Sequence, residues 1–297
     1  MILGIDVGYS NTKIYSKEGS DIFLSTMEEG TNEVNKKAIK IEYKNKEYTI
    51  GEKTGKFSVD LNKIKDETFI LCLYTAIARQ MKDTVADIEL VTGLPAEYFK
   101  SQKQELINSL EGTTVNLVIN DEPKRFTIKK VLVFPQSAGL FILNPQNFEG
   151  NDNIVIDIGG LTVDVSVFDS YTLKKPGTYE LGMLKLYDKV VQALKSEPYS
   201  VSYDLLAAEK IINTKKIIKD GKSMDVADLI NKILRDHTDL IIRTVKNGFS
   251  EYDTCIRNFV GGGAYMLKDY LPVEVKKDDI YTNAKAFYKI GVDKFED

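Results

Sequence analysis

Two carboxylates, each followed two residues later by a glycine, mark where chemistry concentrates in this chain. Asp157 stands in Ile154-Val155-Ile156-Asp157-Ile158-Gly159-Gly160-Leu161-Thr162-Val163-Asp164-Val165-Ser166-Val167-Phe168, and Asp6 in Ile2-Leu3-Gly4-Ile5-Asp6-Val7-Gly8-Tyr9-Ser10-Asn11-Thr12-Lys13-Ile14-Tyr15. Each stretch reads as an apolar strand ending near an acid, a glycine turn, and a second strand running back. After Asp157 the returning strand alternates apolar and polar residues, the pattern of one packed face. Glycine turns can take positive φ and bring N–H groups close to an anion. An acid beside such a nest suits a metal–nucleotide site, the carboxylate holding Mg²⁺ or its waters and the nest holding phosphate oxygens. Setting Asp6 on Asp157 puts Val7 on Ile158, Gly8 on Gly159, Ile14 on Val165 and Lys13 on Asp164. One unit used twice predicts two similar halves facing each other across a nucleotide.

A third stretch, Phe259-Val260-Gly261-Gly262-Gly263-Ala264-Tyr265-Met266-Leu267, reads as strand, triple-glycine turn and helix start. Consecutive glycines there permit close approach by a flat or charged ligand, and a helix N-terminus favours phosphate. His237 falls on an apolar helical stripe between Leu234 and Ile241. It is read either as a catalytic base or, more simply, as a buried histidine satisfied by a carbonyl.

Elements must position these residues. Spacing predicts helices over 66–82, 96–110, 136–143, 181–194, 202–219, 224–245 and 281–292. A hairpin is expected over 39–52, turning at Asn45-Lys46, and another joins 115–119 to 125–128 around Asp121-Glu122-Pro123. Strands are expected at 88–95 and 131–134, and surface loops at 28–37 and 144–153, the latter separating the halves.

The 297 residues suffice for one large domain or two modest ones. A formal net charge of −4 argues against a chain-wide nucleic-acid footprint. No apolar run approaches the roughly 18–20 residues needed to span a bilayer. Met1 leads directly into an acid-bearing strand, so no signal peptide is expected. Two isolated cysteines, Cys72 and Cys255, and one histidine exclude a zinc cluster and fit a reducing cytoplasm.

Five segments in order resemble the nucleotide-site motifs of the actin/DnaK-type chaperone/hexokinase superfamily. Asp6-Val7-Gly8 with Asn11, Thr12 and Lys13 resembles the first phosphate motif, and Pro135-Gln136-Ser137-Ala138-Gly139 the first connecting helix. Asp157–Asp164 resembles the second phosphate motif, Val260–Ala264 the adenosine motif, and Tyr281–Phe287 the second connecting helix. Short length, Thr92-Gly93-Leu94-Pro95 and the Asn283-Ala284-x-x-Phe287-Tyr288 ending are similar to plasmid-segregation actins of the ParM/StbA group.

The resemblance implies an α/β, actin-like (ribonuclease H-like) two-domain fold with the nucleotide in the interdomain cleft. Residues 1–150 and 279–297 would form domain I and 151–278 domain II. Asp6 and Asp157 would hold Mg²⁺, mostly through water. Phosphates would bind at Gly8, Tyr9, Ser10, Asn11, Thr12 and Lys13 and at Gly159, Gly160, Leu161, Thr162 and Asp164. Gln136 would orient the attacking water, an amide where plasmid actins often carry glutamate. Gly261, Gly262, Gly263 and Ala264 would pack on adenosine, with Glu209 or Lys210 at the ribose or base. ATP is the expected nucleotide, with GTP the alternative. The implied function is a cytoplasmic filament moving plasmid DNA through a DNA-binding adaptor, without direct contact to nucleic acid or membrane. A sugar or acyl kinase of the same fold and a membrane-linked actin of the rod-shape or division class are the alternatives.

Overall fold

The first apolar run forms β1 (Ile2–Val7), and β2 (Asn11–Ser16) returns antiparallel beside it, followed by β3 (Gly19–Leu24). This is a computed structural model, describing residues 1–30, 35, 38–58, 60, 62–169, 172–273, 275 and 280–296. Next come β4 (Thr26–Glu29), β5 (Ile39–Tyr43), β6 (Lys46–Ile50) and β7 (Lys56–Phe57). The expected loop over 28–37 therefore starts inside β4 at Glu28 and Glu29, and its residues 31–34, 36 and 37 lie outside the described residues. The 39–52 hairpin turns one residue early, because Lys44 and Asn45 both take positive φ and leave Lys46 to start β6.

Helix α1 (Glu67–Gln80) starts at Asp66, whose carboxylate accepts the Thr68 N–H at 2.9 Å. There follow β8 (Val85–Leu94), α2 (Phe99–Leu110), β9 (Thr114–Ile119), β10 (Glu122–Pro135) and α3 (Gly139–Leu143). The expected strands 125–128 and 131–134 are one strand, β10, whose register shifts between Ile128 and Lys130. Among the described residues this half forms a ten-stranded sheet ordered β3-β2-β1-β8-β10-β9-β5-β6-β4-β7. Strands β1, β8 and β10 run parallel at its centre.

The second half comprises β11 (Asp152–Ile158), β12 (Val163–Asp169), β13 (Thr172–Tyr179), α4 (Met183–Lys195), α5 (Ala207–Thr214), β14 (Lys216–Lys219), β15 (Lys222–Asp225), α6 (Ala227–Gly248), β16 (Ile256–Val260) and α7 (Gly261–Met266). Its sheet is ordered β13-β12-β11-β16. The helix expected over 202–219 is only α5, because Lys215 closes it in the left-handed conformation. Asp220 and Gly221, both at positive φ, then turn β14 into β15.

Strand β12 departs from one-faced packing, since Val163, Val165 and Val167 face one core while Asp164, Ser166 and Phe168 are also buried. The second face is covered from the first half: Phe141 stacks on Phe168 at 5.1 Å and Ser137 Oγ meets Ser166 Oγ at 2.7 Å. The last helix, α8 (Thr282–Phe295), packs on β1, β2, β8 and α3. It comes so close that a Cβ on Gly4 would lie 2.2 Å from the Ala284 carbonyl oxygen.

Candidate functional site

The two hairpins repeat their backbone closely. Gly8 donates to the Asn11 carbonyl at 3.1 Å, and Gly159 donates to the Thr162 carbonyl at 2.9 Å. Asp6 pairs across its ladder with Lys13, and Asp157 with Asp164. Among the described residues, the N–H groups of Tyr9, Ser10, Gly160, Leu161 and Thr162 make no hydrogen bond.

Positive φ was the expected role of these turn glycines, yet Gly8, Gly159 and Gly160 are outside that region. Close approach explains Gly160 instead. A Cβ there would lie 2.0 Å from Ser10 Oγ and 2.8 Å from Ser10 N. The two turns therefore touch, Ser10 of the first against Gly160 of the second.

Asp6 is almost fully buried at the end of β1. Gln136 Nε2 donates to its Oδ1 at 2.7 Å, and Asn283 Nδ2 to its Oδ2 at 3.4 Å. Binding a carboxylate fixes the Gln136 amide with nitrogen inward, so Oε1 is the end left for water. Asp157 is half-buried, and a Cβ on Gly261 would lie 2.2 Å from its Oδ1. Gly261 has φ +87°, which favours glycine independently. Gly263 and Ala264 are buried, Gly263 against Ile158 and Met183, whereas Gly262 is exposed with open space where a Cβ would point. The three glycines thus serve the turn, the packing and the open face.

Asp164 faces inward. Its Oδ1 accepts from Thr178 Oγ1 at 2.6 Å and from the Ala96 N–H at 3.3 Å, and its Oδ2 accepts from Thr162 Oγ1 at 2.8 Å. Burial pushes its carboxyl above the usual range, opposed by the Thr178 and Thr162 hydroxyls, the Lys63 charge and the Ala96 N–H. Ala96 follows β8, so Asp164 joins the halves. Beside it, Glu97 Oε2 accepts the Thr178 N–H at 2.9 Å.

Thr12 is buried and shares a 2.9 Å hydroxyl contact with Ser25. The Lys13 side chain makes no hydrogen bond or ion pair among the described residues. The carbonyls of Gly159, Gly160 and Leu161 accept N–H groups from Met183, Leu184 and Gly182 at the start of α4. This directs the turn's carbonyls towards the helix. His237 supports that junction: Nε2 lies 3.0 Å from the Leu181 carbonyl and Nδ1 3.2 Å from Lys189 Nζ. Burial first, then Lys189, pulls its pKa down to about 4, so it is a neutral buried histidine satisfied by a carbonyl.

Glu209 and Lys210 are exposed on α5, and neither side chain bonds to the glycine turn. Glu209 is near enough to Tyr187 to raise its phenol pKa after burial, and Tyr187 reaches Met266 Sδ at 4.0 Å. Sequence reasoning missed Asn283 as a partner of Asp6, although it stands in a quoted segment. It also missed Lys63, buried behind the first turn with Nζ donating to the Val7 carbonyl.

Among the described residues no three His, Cys, Asp or Glu side chains converge as a metal cage. Mg²⁺ needs only one or two carboxylates when phosphate and water complete its octahedron. Asp6 and Asp157, ending equivalent strands whose turns touch, fit that donor set. The unpartnered turn N–H groups fit phosphate oxygens.

The family described as actin-like proteins, N-terminal domain, matches residues 4–139. The one described as archaeal actin homologue MreB-like, C-terminal, matches residues 155–273. A search of curated proteins returned no match. Among solved structures, a 15-stranded ParM filament from Clostridium botulinum is 21% identical, with TM-score 0.82 over 98% of this chain and 99% of that one. Ta0583, an archaeal actin homolog, in complex with ADP is 16% identical, with TM-score 0.83 over 99% of both chains. An Alp12 filament is 21% identical, with TM-score 0.69 over 99% of this chain and 98% of that one.

Proposed function

The chain belongs to the actin-like protein family, and from that premise we propose that it binds and hydrolyses ATP and polymerises into nucleotide-dependent filaments. The observation that carries this reading is the meeting of the two acid-bearing turns, Ser10 against Gly160, with the N–H groups of Tyr9, Ser10, Gly160, Leu161 and Thr162 unpartnered among the described residues. The unit divides into domain I, residues 1–150 and 279–297, and domain II, residues 151–278, with α8 returning to the first sheet.

In this reading Asp6 and Asp157 would hold Mg²⁺, mostly through water. The turns 8–12 and 159–162 bind phosphate oxygens, and Lys13 adds positive charge at the terminal phosphates. Gln136 holds one water through Oε1 while its amide nitrogen stays on Asp6. When bound, Mg²⁺ supplies charge that neutralises the terminal phosphates. Gly261, Gly262 and Gly263 pack on adenosine, Gly262 with its exposed face, and Glu209 or Lys210 reaches the ribose or base. GTP is accepted as well, because a triple-glycine wall reads the base poorly. Work on plasmid DNA through an adaptor in the cytoplasm is the biological role we assign. ParM and Alp12 filaments share the fold, and no described helix is long and apolar enough to cross a membrane.

The test is turnover across protein concentrations with ATP and Mg²⁺, alongside light scattering and negative-stain microscopy. A critical concentration with filaments is expected. Flat specific activity without pelletable material would defeat the filament reading, and phosphate appearing on an added sugar or acyl substrate would replace it with a kinase.

A further inference from the structure

Gln136 is followed by a residue in an unfavourable conformation. Ser137 has φ +75°, in the left-handed region that favours glycine. The Ala138 N–H donates to the Gln136 carbonyl at 3.0 Å and to the Pro135 carbonyl at 3.3 Å. Ser137 is thus the centre of a three-residue turn and the third residue of a four-residue one. At either place a positive φ is costly for a side chain with a Cβ. Such a conformation persists only where its surroundings impose it.

Here both halves do so. Before the turn, the first half holds Gln136: its N–H donates to the Leu94 carbonyl at 2.7 Å and its Nε2 to Asp6 Oδ1 at 2.7 Å. The side chain packs so close to β8 that a Cβ on Gly93 would lie 3.0 Å from Gln136 Cγ. Ser137 itself is 2% exposed, and its Oγ lies 2.7 Å from Ser166 Oγ on β12 of the second half. Ser166 is fully buried, and neither hydroxyl has another hydrogen-bond partner among the described residues. Ala138 and Phe168, next along the chain, belong to one apolar cluster. A buried hydroxyl without a partner is costly, so each serine requires the other.

We propose that Ser137 is a positioning residue for Gln136, its hydroxyl bond to Ser166 holding the left-handed turn that aims the Gln136 amide. The proposal rests on the reading of Gln136 as the holder of the attacking water, and Ser137 acts only through it.

The experiment compares Ser137→Ala, Ser137→Gly, Ser166→Ala and the double alanine variant by phosphate release at saturating Mg-ATP, Mg-ATP binding and urea unfolding. Each single alanine variant should slow phosphate release roughly tenfold while Mg-ATP affinity stays within about twofold. The double variant should be no slower than either single one, because both remove the same bond. Ser137→Gly separates positioning from stability. It relieves the positive φ, so it should resist urea better than Ser137→Ala, yet release phosphate no faster. Recovery of turnover along with stability would show a merely structural serine and overturn the proposal. So would multiplying losses in the double variant, unchanged phosphate release, or binding and turnover falling together. If Ser137→Ala does not fold, Ser166→Ala, which leaves the turn's own residues intact, carries the rate test on the same terms. A wild-type chain that hydrolyses no ATP would defeat the nucleotide reading and this proposal with it. A hydrolysing wild type with any of the contrary variant results defeats this proposal alone.

Discussion

Asp6 and Asp157 end equivalent strands, and each glycine two residues later closes its turn on the residue three beyond. The side chains then diverge. Asp6 is buried and capped by amides from both segments that connect the halves, Gln136 before α3 and Asn283 on α8. Asp157 is only half-buried and lies against Gly261. Across the ladders the contrast reverses: the Lys13 side chain opposes Asp6 with no bond among the described residues, while Asp164 opposes Asp157 and bonds inward to Thr162, Thr178 and Ala96. A repeated backbone unit supplies two turns that touch, and the residue opposite each acid differs: Lys13 in the first hairpin, the inward-bonded Asp164 in the second.

The sharpest way to break the comparison is to remove one acid at a time. Asp157→Ala should abolish Mg²⁺-dependent turnover, a loss of 10²-fold or more, because the metal would lose an acidic partner. Steady-state phosphate release at saturating Mg²⁺ measures it. Unchanged turnover there, with loss in Asp6→Ala alone, would reverse the roles assigned to the two hairpins.

Acid separates the halves next. The neutral ring of His237 donates from Nε2 to Leu181, just before the α4 start that holds the second turn, and accepts at Nδ1 from Lys189. Lys185 adds a second positive charge nearby. Its folded pKa, about 4, lies below the usual 6.5. The unfolded chain therefore binds the extra proton between those values, and stability falls as pH drops through that window. The full loss is up to about 3 kcal/mol. Urea unfolding at pH 7 and pH 4.5 should show the decline, and His237→Gln should flatten it.

Much of this arrangement was legible because it resides in local pattern. The acid–x–glycine repeat marked both hairpins, and its superposition placed Lys13 opposite Asp6 and Asp164 opposite Asp157, as their ladders have them. What escaped depended on tertiary approach. Nothing local separates Lys63 from Lys65, yet one is buried and the other exposed. Local sequence suggests a dihedral role for the turn glycines, whereas Gly160 is demanded by Ser10 from the other half. Asp220-Gly221 did carry a hairpin signal, and the apolar spacing of residues 202–219 obscured it.

A smaller effect comes from Gln136. With its nitrogen held on Asp6, only Oε1 remains to hold a water. Gln136→Ala should slow phosphate release roughly 10²-fold through lost orientation while leaving ATP binding and polymerisation intact. Longer-lived filaments in a turbidity decay would accompany it. Loss of ATP binding instead would mean that the amide mainly supports Asp6.

The smallest expected effect tests the contact between the turns directly. Gly8 and Gly160 occupy the two turns, but a Cβ on Gly8 would meet only the Asn11 carbonyl oxygen, at 3.0 Å within its own hairpin. On Gly160 the same atom would strike Ser10 across the halves, at both side chain and backbone nitrogen. Gly160→Ala must therefore move one hairpin relative to the other, whereas Gly8→Ala adjusts one turn. Gly160→Ala should weaken Mg-ATP binding roughly tenfold, the scale of losing one well-placed polar contact. Gly8→Ala should weaken it less. Adding Ser10→Gly removes the hydroxyl clash but not the backbone one, so it should recover part of the loss in Gly160→Ala and none in Gly8→Ala. Binding titrations of these variants measure a coupling between residues 10 and 160. Equal behaviour of both alanine variants, with no recovery, would show that the turns act independently.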